Sequence, residues 1–386
     1  QADHGIRDPL WSRGLGDVYK RQVHNMLENI KSMPAKVLLI ISLIVGLLYA
    51  VNFIFFSSCS VVNGDECTAL IPNGADPDHE SYGKSAGTLY VVGALALGTS
   101  LGTILILNEG ARGKWTVMIP TIMGFTALVI VLAPPFQGDY VSASNNPLYA
   151  SFIALACYTG AYVLLKEEGV DEGLENFKLG IGLKNEAKYA IGASVTIGTL
   201  YTLNHLFFAD GYAGAGGTTF IPGFEDGSYW PDSESFNPAS TTPLSFRVLA
   251  AFFVVLVSMG LVLITQGAKG NWAVAHVSLF SVTFFTLAVI VGAAVNNDQV
   301  IPAGPYEGTY TPDDSTNTSN MAVSALVLFL NVYGYYKMRE EGGEEGMTFG
   351  GKDFGNKDDF FFKMYPAVTA VYVVLLLVAN YVTQPL

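Results

Sequence analysis

The sequence predicts an all-α integral membrane protein that crosses the bilayer nine times, as two parallel four-helix repeats followed by one further helix. The chain has 386 residues, of which 51% are hydrophobic and only 14% are charged, whereas soluble domains carry about 25% charged residues. Its apolar runs reach the length of about 20 residues that crosses a bilayer as a helix. A glycine-rich turn between two such runs occurs twice, at 108–115 and 265–272.

The repeated turn, which we call the elbow, reads Asn-Glu-Gly-Ala-Arg-Gly-Lys-Trp in its first copy and Thr-Gln-Gly-Ala-Lys-Gly-Asn-Trp in its second. Glycine permits a tight turn, and tryptophan anchors a helix at the membrane interface. The charges of Glu109 and Lys114 are lost in the second copy. The elbow also lacks the full spacing of a phosphate-binding glycine loop. We therefore interpret it as a structural turn between two membrane helices.

The apolar runs predict the helices in chain order. The first run follows Lys31 and Lys36, and the third stops at Pro134 and Pro135, because proline cannot continue a helix. The predicted helices are 37–56, 88–107, 115–132, 147–165, a fifth that copies the first over 187–208, 246–264, 272–291, 321–336 and 365–382.

An internal repeat divides the chain into units. Residues 35–56 align with 187–208 without a gap, and a third start appears at Tyr365. An even number of crossings per unit gives both complete units the same orientation. We predict four segments. Residues 1–25 are a non-native or disordered N-terminal stretch, 26–176 and 177–346 are the two four-helix repeats, and 347–386 are a cytoplasmic segment with the ninth helix. We expect residues 1–25 to be non-native, since they match no part of the repeat and resemble a translated sequencing adapter.

The distribution of charge predicts the orientation. Lysine and arginine concentrate at the elbows and in 166–188 and 337–363, while the other loops are acidic. The positive-inside rule then makes the elbows cytoplasmic and the C-terminus external, in a protein of the cell membrane. The chain has a formal charge of −13 and its sequence shows no basic face, so no nucleic-acid partner is expected.

Amides are the first polar groups to consider inside the apolar runs. No Asp, Glu, Lys or Arg lies near the centre of a run, which argues against a proton pump, a carboxylate-coupled transporter or a retinal protein. Asn52, Asn204 and Asn380 occupy the same position in three copies of the first helix. Two interpretations stay open: the amides cross-link helices within their units, or they line a polar path.

Two histidines break the repeat. His205 stands where the first unit has Phe53, and His276 stands where it has Ile119. We include both in the candidate polar path, because histidine can serve as a ligand or a proton carrier. A local hydrogen bond at a helix end is the alternative, since neither histidine has a second ligand at the spacing of a metal site. No metal, cofactor or catalytic residue is assigned.

Two cysteines lie close together in one loop. Cys59 and Cys67 could form a disulfide in an oxidising compartment. A metal site is the weaker interpretation, because two cysteines supply only part of the coordination shell of a metal ion. Residues 76–80 are acidic but lack the ligand spacing of a calcium loop, and we interpret them as a solvated turn.

These observations favour a permease or channel for a small, weakly polar solute, because parallel repeats often enclose a substrate site between their halves. A structural or assembly subunit of a membrane complex is the alternative, and a membrane enzyme comes third for want of a catalytic constellation. The expected partners are the lipid bilayer, a small-molecule solute, and either a second copy of the chain or other subunits of a complex.

Overall fold

The fold is a bundle of long helices. The computed structural model describes residues 29–61, 70–71, 84–134, 145–177, 179–214, 216–223, 242–295, 299–301, 308–310, 314–349, 352–353 and 360–383. Within these ranges, the helices of 18 or more residues are α1 (Met33–Val61), α2 (Lys84–Glu109), α3 (Trp115–Leu132), α4 (Asn146–Leu164), α5 (Ala187–Phe207), α6 (Thr242–Gln266), α7 (Trp272–Val295), α8 (Asp314–Glu340) and α9 (Tyr365–Thr383).

Eight of these helices are long and apolar enough to cross a membrane, and α5 is the one that falls short. This is the architecture of a polytopic membrane protein, as the composition predicts. The strands of the described residues are two small antiparallel hairpins. In the first, β1 (Gln299–Ile301) pairs with β2 (Gly308–Tyr310), and in the second, β3 (Thr348–Phe349) pairs with β4 (Lys352–Asp353).

Each elbow ends one helix and starts the next. Gly110 and Gly267 have φ angles of 88° and 83°, the left-handed conformation that glycine adopts at a helix C-terminus. Their amides donate to the carbonyls of Ile106 and Leu263, at 2.9 and 3.0 Å. Glycine is required there, because a side chain would strain that backbone conformation.

The two elbows also contact each other. Lys114 Nζ lies 5.0 Å from the centroid of the Trp272 ring, within the range of a cation–π contact. Burial lowers the pKa of Lys114, and the charge of Glu109 opposes that shift. Glu109 in turn accepts a hydrogen bond from Thr348 in β3. The second elbow and the segment that follows α8 therefore both pack against the first elbow.

Ion pairs and hydrogen bonds connect the chain segments on the elbow side of the bundle. Arg112 Nε lies 2.5 Å from Glu172 Oε2, and Lys269 Nζ lies 3.2 Å from Glu345 Oε2. The hydrogen bond from the Arg112 guanidinium lowers the pKa of Glu172. The carboxylate of Glu168, just after α4, accepts the backbone N–H groups of Lys31 and Ser32, just before α1.

Helix packing is the same in the two halves of the chain. Helix α1 packs against α2 and α4, and α3 packs against α4; likewise α5 packs against α6 and α8, and α7 packs against α8. The halves meet along α2–α7, α3–α6 and α2–α6, which we call the seam. Helix α9 packs against α7 and α1.

Glycine brings the helices of the seam close together. A Cβ atom added to Gly98 would lie 2.5 Å from the Cα atom of Ser281, and one added to Gly124 would lie 2.1 Å from a methyl of Val255. Such small residues let helix backbones approach closely in membranes. The seam is therefore tightly packed at both points.

Candidate functional site

The asparagines of α1 and α5 both bind a chain segment that follows their helix. Asn52 Oδ1 accepts the backbone N–H of Ile71, at 3.0 Å. Asn204 Oδ1 accepts the Thr219 hydroxyl at 2.9 Å and the backbone N–H groups of Phe220 and Ile221 at 3.3 Å. Both side chains are fully buried. Holding the segment after each helix is thus what these two amides do in the structure.

His205 lies in a box of aromatic rings. The centroid of its ring is 4.5 Å from that of Tyr212, 5.2 Å from that of Phe246 and 6.0 Å from that of Phe253. Its Nδ1 atom has no hydrogen-bond partner in the described part of the chain. Apolar rings on all these sides fit a neutral imidazole, since a buried charge without a partner is costly.

His276 begins a buried hydrogen-bonded chain. Its Nε2 atom lies 2.5 Å from the Tyr335 hydroxyl, which donates to Glu344 Oε1 at 2.6 Å. Arg339 Nε lies 3.0 Å from the other oxygen of Glu344. Phe360 stacks on the imidazole, with ring centroids 4.1 Å apart. These contacts tie α7 and α8 to the turn that precedes α9.

Three of the predicted site residues lie wholly or partly outside the residues that the structure describes. Asn380 lies in α9, but its side chain is outside the described residues. The predicted Cys59–Cys67 disulfide also lies outside them. Asn204 and His205 are neighbours on α5, whereas His276 lies with Tyr335 and Glu344 toward the elbow side. The proposed polar path through all five residues stays a prediction.

A cavity of about 150 Å³ lies between the helices of the first unit and α6. Its wall comes from α1 to α4, together with the first half of α6. It extends from Leu132, Pro147 and Leu244, at the helix ends away from the elbows, to Ser42 and Thr103 in the middle of α1 and α2. None of Asn52, Asn204, His205 and His276 lines it.

The cavity wall is mostly apolar and carries hydroxyl groups, with no charged side chain among the described residues that line it. The hydroxyl-bearing serines and threonines are Ser42, Thr99, Ser100, Thr103, Thr121, Ser151 and Ser245. A cavity of this volume can hold a molecule the size of benzene. An ion would find no opposite charge there, and burying an unpaired charge is costly. The cavity thus suits a small uncharged molecule.

The sequence analysis missed this cavity, although α2 carries a signal for it. Thr99, Ser100 and Thr103 are spaced three and four residues apart, which puts Thr99 and Thr103, and Ser100 and Thr103, on one face of a helix. A hydroxyl stripe of this kind in an apolar run could have identified the wall.

Comparisons of the chain with protein-family models, with curated protein sequences and with solved structures found no match.

Proposed function

We propose that the bundle is built from two copies of one four-helix unit, α1–α4 and α5–α8, with α9 as the first helix of a third copy. The helix contacts support this proposal, because the pairings within one unit recur in the other. The contacts across the seam are reciprocal as well: α2 meets α7, and α6 meets α3. Two parallel units related by an axis along the membrane normal would meet in this way.

Individual residues of the seam support the same relation. The first residues of the two elbows, 108 and 265, are 157 positions apart. The same shift carries Gly98 to Val255 and Gly124 to Ser281. The close contact of Gly98 with Ser281 therefore corresponds to the close contact of Val255 with Gly124. The ion pairs Arg112–Glu172 and Lys269–Glu345 also join equivalent elbow positions to the segments after α4 and α8.

A duplicated unit requires α5 to cross the bilayer, which gives nine crossings. Helix α5 has 21 residues, enough for the hydrocarbon core. Its apolar character is reduced by Ser194, Thr202 and Asn204, all of which are buried against the bundle. Basic residues on the elbow side would make that side cytoplasmic and the C-terminus external, in the cell membrane.

The proposed activity is the binding and passage of a small, uncharged, weakly polar solute through the first unit. The observation that carries this proposal is the hydroxyl-bearing cavity between α1–α4 and α6. Its composition matches that of ligand pockets, which are largely apolar with a few polar groups that orient the ligand. The lipid bilayer and this solute are the partners it implies.

The second unit supports a specific role for the cavity, because phenylalanines replace smaller side chains at two of the equivalent wall positions. The elbow alignment pairs Ala96 with Phe253 and Leu128 with Phe285, and the rings of Phe253 and Phe285 are in contact, with centroids 5.3 Å apart. The same helix arrangement can therefore hold aromatic side chains at these positions. The cavity in the first unit then results from the smaller side chains of Ala96 and Leu128.

A structural or assembly subunit remains the second candidate, and the packing of the elbow side favours it. Leu39, Ile106 and Met118 are fully buried there, and the cavity does not extend past Ser42 and Thr103 toward the elbows. A transporter would have to open this region during its cycle, whereas an assembly subunit would not.

The test is solute flux into proteoliposomes. Stopped-flow light scattering would measure the entry of acetamide and propane-1,2-diol with the wild-type chain, with Ala96→Phe and with Ala156→Phe. Ala96 lines the cavity, whereas Ala156 is exposed on α4. The same change at Ala156 therefore controls for the added ring.

We expect wild-type and Ala156→Phe proteoliposomes to admit at least one solute faster than protein-free liposomes, and Ala96→Phe to reduce that excess at least tenfold. Entry at the protein-free rate in every sample would contradict passage and favour the assembly role. Equal excess entry in Ala96→Phe would show that solute does not pass through the cavity.

A further inference from the structure

The hydroxyl groups of the cavity differ in whether their hydrogen atoms are already used. Ser100 donates to the carbonyl of Ala96 at 2.7 Å, and Thr121 donates to that of Val117 at 2.8 Å. Thr99 and Ser151 likewise donate to carbonyls of the preceding helical turn. These four oxygens can only accept further hydrogen bonds, because a hydroxyl has one hydrogen to donate.

Ser42 is different. It is 3% exposed and lines the cavity at its mid-helix end, and its hydroxyl has no hydrogen-bond partner among the residues that the structure describes. A molecule in the cavity could therefore form a hydrogen bond with the Ser42 hydroxyl, which can both accept and donate.

The second unit has an occupied version of this position. The alignment of α1 with α5 pairs Ser42 with Ser194. Ser194 Oγ accepts a hydrogen bond from the amide of Asn331, at 2.6 Å, and both residues are buried. In the second unit, the chain itself thus supplies an N–H donor to this serine. In the first unit, a molecule bound in the cavity could supply it.

We infer that Ser42 binds the polar group of the solute, and that the solute is a small apolar body with one hydroxyl or N–H group, such as a short alcohol or amide. This inference rests on the proposed function of the cavity. A donor is preferred because Ser194, at the position equivalent to Ser42, accepts a hydrogen bond from an amide N–H group. Ser42 itself can both accept and donate.

The test compares two probes of similar size that differ in this group. Fluorine-19 NMR would measure the affinities of 4-fluorophenol and fluorobenzene for the protein in lipid nanodiscs. The variants are Ser42→Ala and, as a matched control on the same wall, Ser100→Ala. Ala96→Phe corrects for partition of the probes into lipid. One net hydrogen bond predicts a preference for 4-fluorophenol of about 2- to 10-fold.

We expect Ser42→Ala to abolish that preference while fluorobenzene still binds, and Ser100→Ala to keep it. A preference that survives Ser42→Ala would overturn the role of Ser42 and leave the cavity as a binding site. If neither probe binds the wild type more than Ala96→Phe, the cavity is not a solute site, and the proposed function fails together with this inference.

Discussion

At the scale of the residue, the two buried asparagines have one observed role. Each accepts hydrogen bonds from the segment that follows its own helix, and Asn204 accepts three of them. Polar side chains commonly stabilise membrane bundles in this way. The structure gives neither residue a position on the cavity wall.

Asn204→Leu would remove an acceptor that serves Thr219, Phe220 and Ile221. We expect the free energy of unfolding to fall by about 1–3 kcal/mol, because buried donors would lose their partner. Leu203→Ala, at an exposed neighbour, should change it by no more than about 0.5 kcal/mol. Thermal unfolding in detergent measures both.

Solute flux per folded molecule should be preserved in Asn204→Leu, since the residue does not line the cavity. Loss of flux with unchanged stability would instead favour the polar-path interpretation of this asparagine.

Sequence alone identified these residues as notable but not what they bind. The equivalent positions of Asn52 and Asn204 follow from the repeat, whereas their partners lie in loops whose path no periodicity predicts. The role of Ser42 was even harder to predict from the sequence. A serine in an apolar helix is unremarkable until the structure shows an open space beside it and a hydroxyl without a partner.

At the scale of the element, acidic residues on the elbow side bind the chain just before two helices. Glu341, just after α8, accepts the backbone N–H groups of Lys184 and Asn185 at 3.1 and 2.7 Å, close to the start of α5. Glu168 does the same for Lys31 and Ser32 before α1. A negative charge at a helix N-terminus is favourable, because unpaired amides point toward it.

Glu341→Ala should therefore lower the free energy of unfolding by about 1–2 kcal/mol, because two backbone N–H groups would lose a charged acceptor. Its neighbour Glu340 offers a matched control, since its side chain is half-exposed and pairs with Lys337 on the same helix. Glu340→Ala should cost at most about 1 kcal/mol, as surface ion pairs do. Chemical denaturation would compare the two variants, and equal losses would contradict a stabilising role for the hydrogen bonds of Glu341.

Helix positions were largely predictable, but helix ends were not. The apolar runs and the glycine-tryptophan elbows indicate where the membrane helices lie, because hydropathy and turn residues are local signals. Helix α8 nevertheless spans Asp314–Glu340 rather than the predicted 321–336. Its polar ends extend beyond the apolar run, so that hydropathy could not detect them.

At the scale of the whole molecule, the number of crossings depends on α5. If α5 crosses the bilayer, both elbows lie on the same side; if it does not, they lie on opposite sides. Arg112 and Lys269 are exposed at equivalent positions of the two elbows, with side-chain exposures of 78% and 75%. They are therefore matched sites for a topology reporter.

We expect Arg112→Cys and Lys269→Cys to react alike with a membrane-impermeant maleimide. In intact cells both should be protected, and both should be labelled after permeabilisation. The unmodified chain controls for its native cysteines. Labelling of only one elbow in intact cells would rule out nine crossings with a parallel repeat.

The most direct measurement of the central claim is an electron cryomicroscopy map of the protein in lipid nanodiscs. The claim is that the first unit keeps a hydroxyl-bearing cavity for a small solute, while the second unit is filled by its own aromatic side chains. The map should then contain an open space, or density for a small molecule, beside Ser42 and Ala96, and a packed ring of Phe253 at the equivalent position. A first unit that is closed by its own side chains would contradict the account.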